Sequence, residues 1–213
     1  MPDHSDQAFW DERYRSSHTL WSGNPNPHLV DEAGGLAPGR ALDAGAGEGA
    51  DAIWLAQGGW EVTAVDVSPV ALERAGGHAE RAGAEVAGRI RWLRQDMVGW
   101  EPGPDTYDLV SAHYLHLPTT KRQPLFARLA SAVAAGGTLL IVGHHPSDLQ
   151  TTMPRPPIPE LYFTGDDLMG QLDPDRWEVV TNTAVGRVVA DPEGRAVTIH
   201  DTVLRARLRS DQA

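Results

Sequence analysis

The 213-residue sequence contains no cysteine, which excludes disulfide bonds, thiolate nucleophiles and cysteine-ligated zinc. It also lacks any run of about 18 apolar residues, the length that a membrane-spanning helix requires. Residues 1–17 mix charged and amide side chains without an apolar stretch, so we expect neither a secretory signal nor a membrane anchor. These absences predict a cytoplasmic protein.

Positive charge is scarce, because 18 Lys and Arg residues stand against 29 Asp and Glu, a formal net charge of −11. Nucleic-acid backbones are bound by clustered basic side chains, so no nucleic-acid partner is predicted. The composition is typical of a globular protein, and the length favours one domain over residues 1–213. A small molecule is the expected partner, and the sequence leaves the oligomeric state open.

Apolar segments of strand type alternate with segments of helical period, a pattern typical of a parallel sheet built from βαβ units. The helix that contains Phe126 is predicted to end at Gly136 and Gly137. A hairpin is predicted where a turn separates the extended runs 177–189 and 196–208. The other predicted strands cover residues 40–44, 60–66, 90–93, 107–112 and 138–142. The predicted fold class is therefore α/β.

A glycine-rich segment, LDAGAGEG at residues 42–49, follows the first predicted strand. Because Gly45 and Gly47 lack Cβ atoms, the backbone can approach a ligand closely, and the next helix offers free N–H groups to an anion. The spacing from Gly45 to Ala50 also fits the relaxed dinucleotide fingerprint. An NAD(P)-binding oxidoreductase therefore stays open at this point.

Carboxylates close the first three predicted strands, at Asp43, Asp66 and Asp96. Asp66 can accept hydrogen bonds from ribose hydroxyls, which suits an adenosine cofactor or NAD. Asp43 precedes the first loop glycine by two residues, where its charge would repel a pyrophosphate and attract an ammonium or sulfonium. Asp96 could bind an adenine amino group. These acids favour a cationic adenosine cofactor.

This order of motifs resembles the class I S-adenosylmethionine-dependent methyltransferase family, from Trp10 to about Arg207. The strand-four segment YDLVS at 107–111 and the segment GGTLL at 136–140 add to the resemblance. It implies a Rossmann-like, doubly wound sheet of seven strands, mostly parallel with an antiparallel C-terminal hairpin, in three α/β/α layers. It also implies S-adenosyl-L-methionine as the cofactor, with contacts from Asp43, Gly45, Gly47, Asp66, Val67, Ser68, Asp96, Met97 and Ala112.

Within that family, the N-terminal segment and the closing hairpin are most similar to tellurite-resistance-type small-molecule methyltransferases. That resemblance implies that residues 1–35 form a cap, in which Tyr14 and Trp21 cover the methionine end of the cofactor. Docking of an amphipathic helix also requires large aromatic residues, so a purely structural role for them stays open. Arg187 could hold an anionic acceptor.

Four of the nine histidines follow predicted strands four and five. They could shape a pocket, act as a general base or bind a metal, and imidazole is the natural base near neutral pH. We select His113 and His144 as the candidate catalytic residues, because each directly follows a strand, and His116 and His145 as candidate substrate-binding residues. No ligand set can be assembled around them, so no metal site is predicted.

Five prolines lie between Pro146 and Pro159 and exclude a regular sheet element there. We predict that residues 146–163 form an ordered loop over the acceptor site, in which Met153 and Tyr162 contact the acceptor. The alternative is that its apolar side chains only pack the loop onto the sheet.

The sequence thus predicts an S-adenosylmethionine-dependent methyltransferase that transfers a methyl group to a small molecule by in-line displacement. The alternatives are an NAD(P)-binding oxidoreductase and a non-catalytic module that binds an adenosine cofactor.

Overall fold

The computed structural model of the protein describes residues 6–17, 20, 22–104 and 106–210, and the structural statements below refer to these. Trp21, predicted to cover the cofactor, lies outside the described residues.

Seven strands form one sheet in the order β3-β2-β1-β4-β5-β7-β6. The first five strands are parallel, and β7 is antiparallel to both β5 and β6. This arrangement confirms the predicted fold class and its C-terminal hairpin. The strands are β1 (Arg40–Ala44), β2 (Glu61–Asp66), β3 (Ile90–Arg94), β4 (Tyr107–His113), β5 (Val133–His144), β6 (Trp177–Ala190) and β7 (Ala196–Leu208).

Seven α-helices accompany the sheet in the part of the chain that the structure describes. They are α1 (Gln7–Arg15), α2 (Pro27–Ala33), α3 (Ala50–Gln57), α4 (Pro69–Ala82), α5 (Ala84–Gly88), α6 (Thr119–Ser131) and α7 (Gly165–Met169). Ser68 caps α4 by accepting a hydrogen bond from the backbone N–H of Ala71, and Pro69 opens the helix. Within the described ranges, no helix combines the length and apolar character needed to cross a bilayer.

The central strands are apolar on both faces, as parallel strands covered by helices on each side must be. Leu42 and Val110 belong to the core on one face, and Ala41 and Leu109 belong to the core on the other. Apolar side chains therefore cover β1 and β4 on both faces of the sheet. From β1 the sheet first grows through β2 and β3 on one side, and the chain then returns to add β4 on the other side. Ligands of open α/β sheets bind beyond the carboxyl ends of the strands at such a point.

The predicted end of the helix at Gly136 and Gly137 is wrong. Helix α6 ends at Ser131, and β5 begins at Val133 and passes through Gly136, whose φ is 77°. The β4–β5 register shifts beside this glycine, which indicates a bulge that a residue in the left-handed region allows. The two strands also run further than predicted, so that His113 and His144 are their last residues.

Candidate functional site

A cleft of about 690 Å³ lies at the carboxyl ends of the central strands. Its volume falls within the range of small-molecule sites, roughly 300–1,000 Å³. The cleft brings together most of the residues selected from the sequence. Those that line it are Tyr14, Gly45, Gly47, Asp66, Val67, Asp96, Met97, His113, His116, His144 and Arg187.

The glycine-rich loop forms the floor of this cleft. Gly45 and Gly47 have φ angles of 81° and 54°, a region that side chains other than glycine rarely adopt. A Cβ atom at Gly45 would also collide with Leu115. The backbone N–H of Gly47 donates to Asp66 Oδ2 over 2.9 Å. The loop is thus fixed in a position that leaves its backbone open to a ligand.

Asp66 stands at the end of β2 and faces the cleft beside this loop. Its second oxygen, Oδ1, accepts a hydrogen bond from the Ser68 N–H over 2.8 Å. Burial raises the pKa of Asp66, although these two backbone hydrogen bonds oppose the shift. Each carboxylate oxygen retains a lone pair, so Asp66 can still accept from hydroxyl groups of a ligand.

Three carboxylates crowd together beneath the glycine loop. Asp43 is buried, and its Oδ2 atom has no hydrogen-bond partner among the described residues. Burial first, and then the negative charges of Asp51 and Asp66, raise the pKa of Asp43 well above its usual range. The negative potential at this end of the cleft favours a cationic group and opposes a phosphate.

Helix α1 covers the same end of the cleft. Asp11 Oδ1 accepts a hydrogen bond from the Ser68 hydroxyl over 2.5 Å, which holds the helix against the end of β2. Arg74 donates to the Tyr14 carbonyl over 2.8 Å and forms an ion pair of 2.9 Å with Glu48 in the glycine loop. Tyr14 is therefore fixed where its buried side chain lines the cleft.

The loop after β3 forms the wall nearest to Asp66. Asp96 Oδ1 accepts a hydrogen bond from the Val98 N–H over 2.9 Å. The Arg128 guanidinium donates to the carbonyls of Met97 and Val98 over 3.1 and 2.7 Å. These bonds hold the apolar side chains of Met97 and Val98 beside a carboxylate, an arrangement suited to a flat, polar-edged ring such as adenine.

His113 lies at the opposite wall and is oriented by a carboxylate. Its Nδ1 atom is 2.7 Å from Asp51 Oδ2, and the side chain is 6% exposed. Its Nε2 atom is buried without a hydrogen-bond partner in the described part of the chain. Asp51 also accepts from the Asn26 N–H over 2.6 Å, which joins the N-terminal segment to this pair. Nε2 is consequently the ring nitrogen that has no partner within the described part of the chain, in a residue that lines the cleft.

Another buried carboxylate, Asp201 on β7, organises the far end of the cleft. Its Oδ2 atom accepts from Arg187 Nε over 2.9 Å and lies 3.4 Å from His28 Nε2. Its Oδ1 atom lies 3.5 Å from His144 Nδ1. Despite burial, which raises it, the pKa of Asp201 is held far below its usual range by these neighbours.

The remaining predicted residues lie outside the cleft lining. Asp43, Ser68 and Ala112 are buried behind it. His145 caps the 3₁₀ turn Pro146–Gln150, where its ring accepts from the Ser147 N–H over 3.2 Å. The His145 ring thus makes a structural contact within the fold, whereas Asp43 Oδ2 has no partner among the described residues.

The proline-rich loop reaches the cleft through residues other than those predicted. Tyr162 is buried and donates its hydroxyl to the Pro156 carbonyl over 2.9 Å, and Met153 is outside the lining. Pro154, Arg155 and Pro156 line the cleft instead. Arg155 is held by Asp148, 3.1 Å away.

Among the residues at the cleft or directly behind it that were not selected from the sequence, four matter most for its chemistry: Asp51, Tyr114, Arg155 and Asp201. Asp51 had a recognisable signal, since it follows the glycine loop in the first turn of α3. Tyr114 lay between two histidines that were selected. Asp201 had no local signal, because it is one polar residue in a strand of mixed character.

Parts of the chain are similar to known proteins. Residues 41–137 match the family described as "Methyltransferase domain". The chain is 31% identical over 137 residues to "Probable thiol methyltransferase 2" from Arabidopsis thaliana, an alignment that covers 62% of this chain and 59% of that protein. The chain thus spans less than two thirds of that relative's length.

Solved structures share the fold at low identity. One, from work titled "Conversion of a Disulfide Bond into a Thioacetal Group during Echinomycin Biosynthesis", has a TM-score of 0.72 and 22% identity and covers 97% of this chain and 93% of its own. TehB from Haemophilus influenzae has a TM-score of 0.70 and 19% identity, with coverage of 93% and 66%. Residues 41–137 thus match a methyltransferase domain, and the chain as a whole shares its fold with these solved structures.

Proposed function

We propose that the protein transfers the methyl group of S-adenosylmethionine to a small-molecule acceptor. The observation that carries this proposal is the group of three carboxylates beneath the glycine loop, with Asp43 Oδ2 buried and unpaired within the described structure. A cationic cofactor relieves the mutual repulsion of these carboxylates, whereas a pyrophosphate increases it. The same observation disfavours NAD(P), the alternative that the glycine spacing left open.

The cleft offers a group for each part of this cofactor. Asp66 would accept from the ribose hydroxyls, and Asp96, beside Met97, would bind the adenine edge. Tyr14 would cover the methionine end, next to the glycine loop. When bound, the cofactor supplies an activated methyl group, so that the protein has only to align the acceptor and exclude water.

We assign the general base to His113 in preference to His144. His113 Nδ1 is anchored to Asp51 at 2.7 Å, which leaves Nε2 to accept the proton from the acceptor's nucleophilic atom as the methyl group transfers. Asp51 fixes the ring orientation and stabilises the imidazolium that forms. His144 contacts its carboxylate only at 3.5 Å and belongs to the acceptor wall in this proposal.

Sulfur acceptors are the first class to test. The related plant protein is named a thiol methyltransferase. A thiol, with a pKa of about 8.5, gives its proton to an imidazole far more readily than an alcohol does. An aspartate-anchored histidine therefore suits a thiol acceptor.

The test is a panel of small thiols, amines and alcohols incubated with methyl-labelled S-adenosylmethionine, with transfer followed by mass spectrometry. We expect transfer to at least one thiol, and a loss of roughly 10²–10⁴-fold in turnover for His113→Ala with S-adenosylhomocysteine affinity retained. If the protein binds S-adenosylhomocysteine but methylates no member of the panel, the assignment of the acceptor class is wrong.

We further propose that the protein acts as a single domain in the cytoplasm without a nucleic-acid partner. The net charge of −11 supports the absence of nucleic-acid binding. The continuous seven-stranded sheet supports a single domain.

A further inference from the structure

Tyr114 has an unusual backbone conformation. Its φ angle is 51°, the one positive value outside glycine among the residues that the structure describes. A bulky residue in this region is strained, and such strain persists only where the surroundings hold it. Here the Tyr114 N–H donates to the Val142 carbonyl over 2.8 Å, which extends the β4–β5 pairing by one residue. The backbone is therefore held so that the side chain leaves the strand towards the cleft.

The ring of Tyr114 belongs to a group of planar side chains at the far end of the cleft. Its centroid lies 4.8 Å from that of His144 and 6.5 Å from that of His116, with the latter ring nearly parallel. His116 and His144 are 5.0 Å apart. All three line the cleft, and we call them the ring wall.

The hydroxyl end of Tyr114 is directed towards the buried carboxylate that holds the rest of this region. Burial, followed by the negative charge of Asp201, raises the pKa of the phenol. Tyr114 is therefore a neutral phenol at physiological pH and has no role as a base. What it can offer to a ligand in the cleft is its aromatic ring.

We propose that Tyr114 is a specificity-determining residue, and that the ring wall of Tyr114, His116 and His144 binds a planar ring of the acceptor by stacking. This inference rests on the proposed methyltransferase function and narrows its acceptor class to molecules with an aromatic or heteroaromatic ring. Flat rings gain more from stacking on such a surface than saturated rings of the same size. We assign Tyr114 to binding of the acceptor and not to proton transfer, since His113 is the proposed base.

The probes are matched pairs that differ only in ring planarity. Phenylmethanethiol is paired with cyclohexylmethanethiol, and the corresponding alcohols and amines form two more pairs. Binding to protein saturated with S-adenosylhomocysteine is measured by calorimetry, so that the result does not depend on turnover. We expect the aromatic member of at least one pair to bind about three- to tenfold more tightly.

The variants distinguish the effect of losing the Tyr114 ring from the effect of disturbing the fold. Tyr114→Asn removes the ring but tolerates the positive φ angle, and we expect it to bring the ratio within a pair close to one. Tyr114→Phe keeps the ring and should keep the ratio. Tyr107→Phe, at the opposite end of β4, is the control and should leave binding unchanged.

Equal affinity within every pair, binding of neither member, or an unchanged ratio in folded Tyr114→Asn would each overturn the inference. Failure of the proposed function would give a different result from failure of this inference, because the unmodified protein would then not bind S-adenosylhomocysteine. If Tyr114→Asn does not fold, His116→Ala tests the same wall, and the same reduction in the ratio is expected.

Discussion

His113 Nδ1 lies 2.7 Å from Asp51 Oδ2, although the two residues are 62 positions apart in the sequence. They meet because β1 and β4 are neighbours in the sheet, so that the helix after β1 starts beside the end of β4. An imidazole held in this way has one fixed tautomer, and its other nitrogen, Nε2, has no partner among the described residues.

The first prediction is that Asp51 and His113 act as one unit. Asp51→Asn should lower kcat, by less than the roughly 10²–10⁴-fold expected for His113→Ala, because the imidazole remains but its protonated form loses a charged partner. In the His113→Ala background, Asp51→Asn should cause no further loss of kcat. Additive losses in this double-mutant cycle would show that Asp51 acts independently of His113.

The second prediction concerns Asp66. Asp66→Ala should weaken S-adenosylmethionine binding by about 1–3 kcal/mol, since it removes charge-assisted hydrogen bonds to the ribose. The same change also removes the acceptor of the Gly47 N–H. Asp108→Ala, which removes a half-exposed carboxylate remote from the cleft, is the control in titration calorimetry. An unchanged dissociation constant in folded Asp66→Ala would remove Asp66 from the site.

The third prediction is that Asp43→Asn stabilises the ligand-free protein while it weakens cofactor binding. The pKa of Asp43 is raised in the folded state, so the protein loses stability as pH rises from the ordinary carboxyl pKa to the raised one, and the loss is complete above the raised value. The gain in melting temperature, about 2–4 °C per kcal/mol relieved, should be present at neutral pH and vanish as pH falls through the raised pKa towards the ordinary one. Thermal melts across this range, with and without S-adenosylhomocysteine, test both effects. A variant that melts lower at neutral pH would contradict the account.

The fourth prediction concerns Asp201, whose pKa is lowered in the folded state. Its contribution to stability is present above its ordinary pKa and is lost as pH falls through the folded value. Asp201→Asn should destabilise the protein at neutral pH by roughly 1–3 kcal/mol, since buried His28 loses its carboxylate partner while the half-exposed Arg187 guanidinium is solvated in its place. Denaturant titration measures this, and a loss below about 1 kcal/mol would show that Asp201 does not organise this end of the cleft.

Much of the fold was predictable because it depends on local patterns. The bounds of β7, 196–208, were predicted correctly, and the glycine loop between β1 and α3 was recognised from its composition. The start of β5 was not predicted correctly, because the spacing of apolar residues through Val133 continues the helical period of α6. A glycine that usually ends a helix lies here inside a strand, at a bulge.

Only the site residues that lie at the ends of strands could be predicted from the sequence. Asp66 and His113 each follow from their place at the end of a strand. Asp201 could not be found in this way, because its role depends on β7 lying between β5 and β6. That register places Asp201 opposite His144 on one side and Val185 on the other. Pairing between strands that are distant in the sequence cannot be predicted from the local pattern of residues.

The central claim is that the carboxylate-rich cleft binds S-adenosylmethionine and not a dinucleotide. Titration calorimetry of the purified protein with S-adenosylhomocysteine and, separately, with NADH tests it most directly. We predict a micromolar dissociation constant for S-adenosylhomocysteine and no detectable binding of NADH. Binding of NADH in the micromolar range, without binding of S-adenosylhomocysteine, would contradict the account.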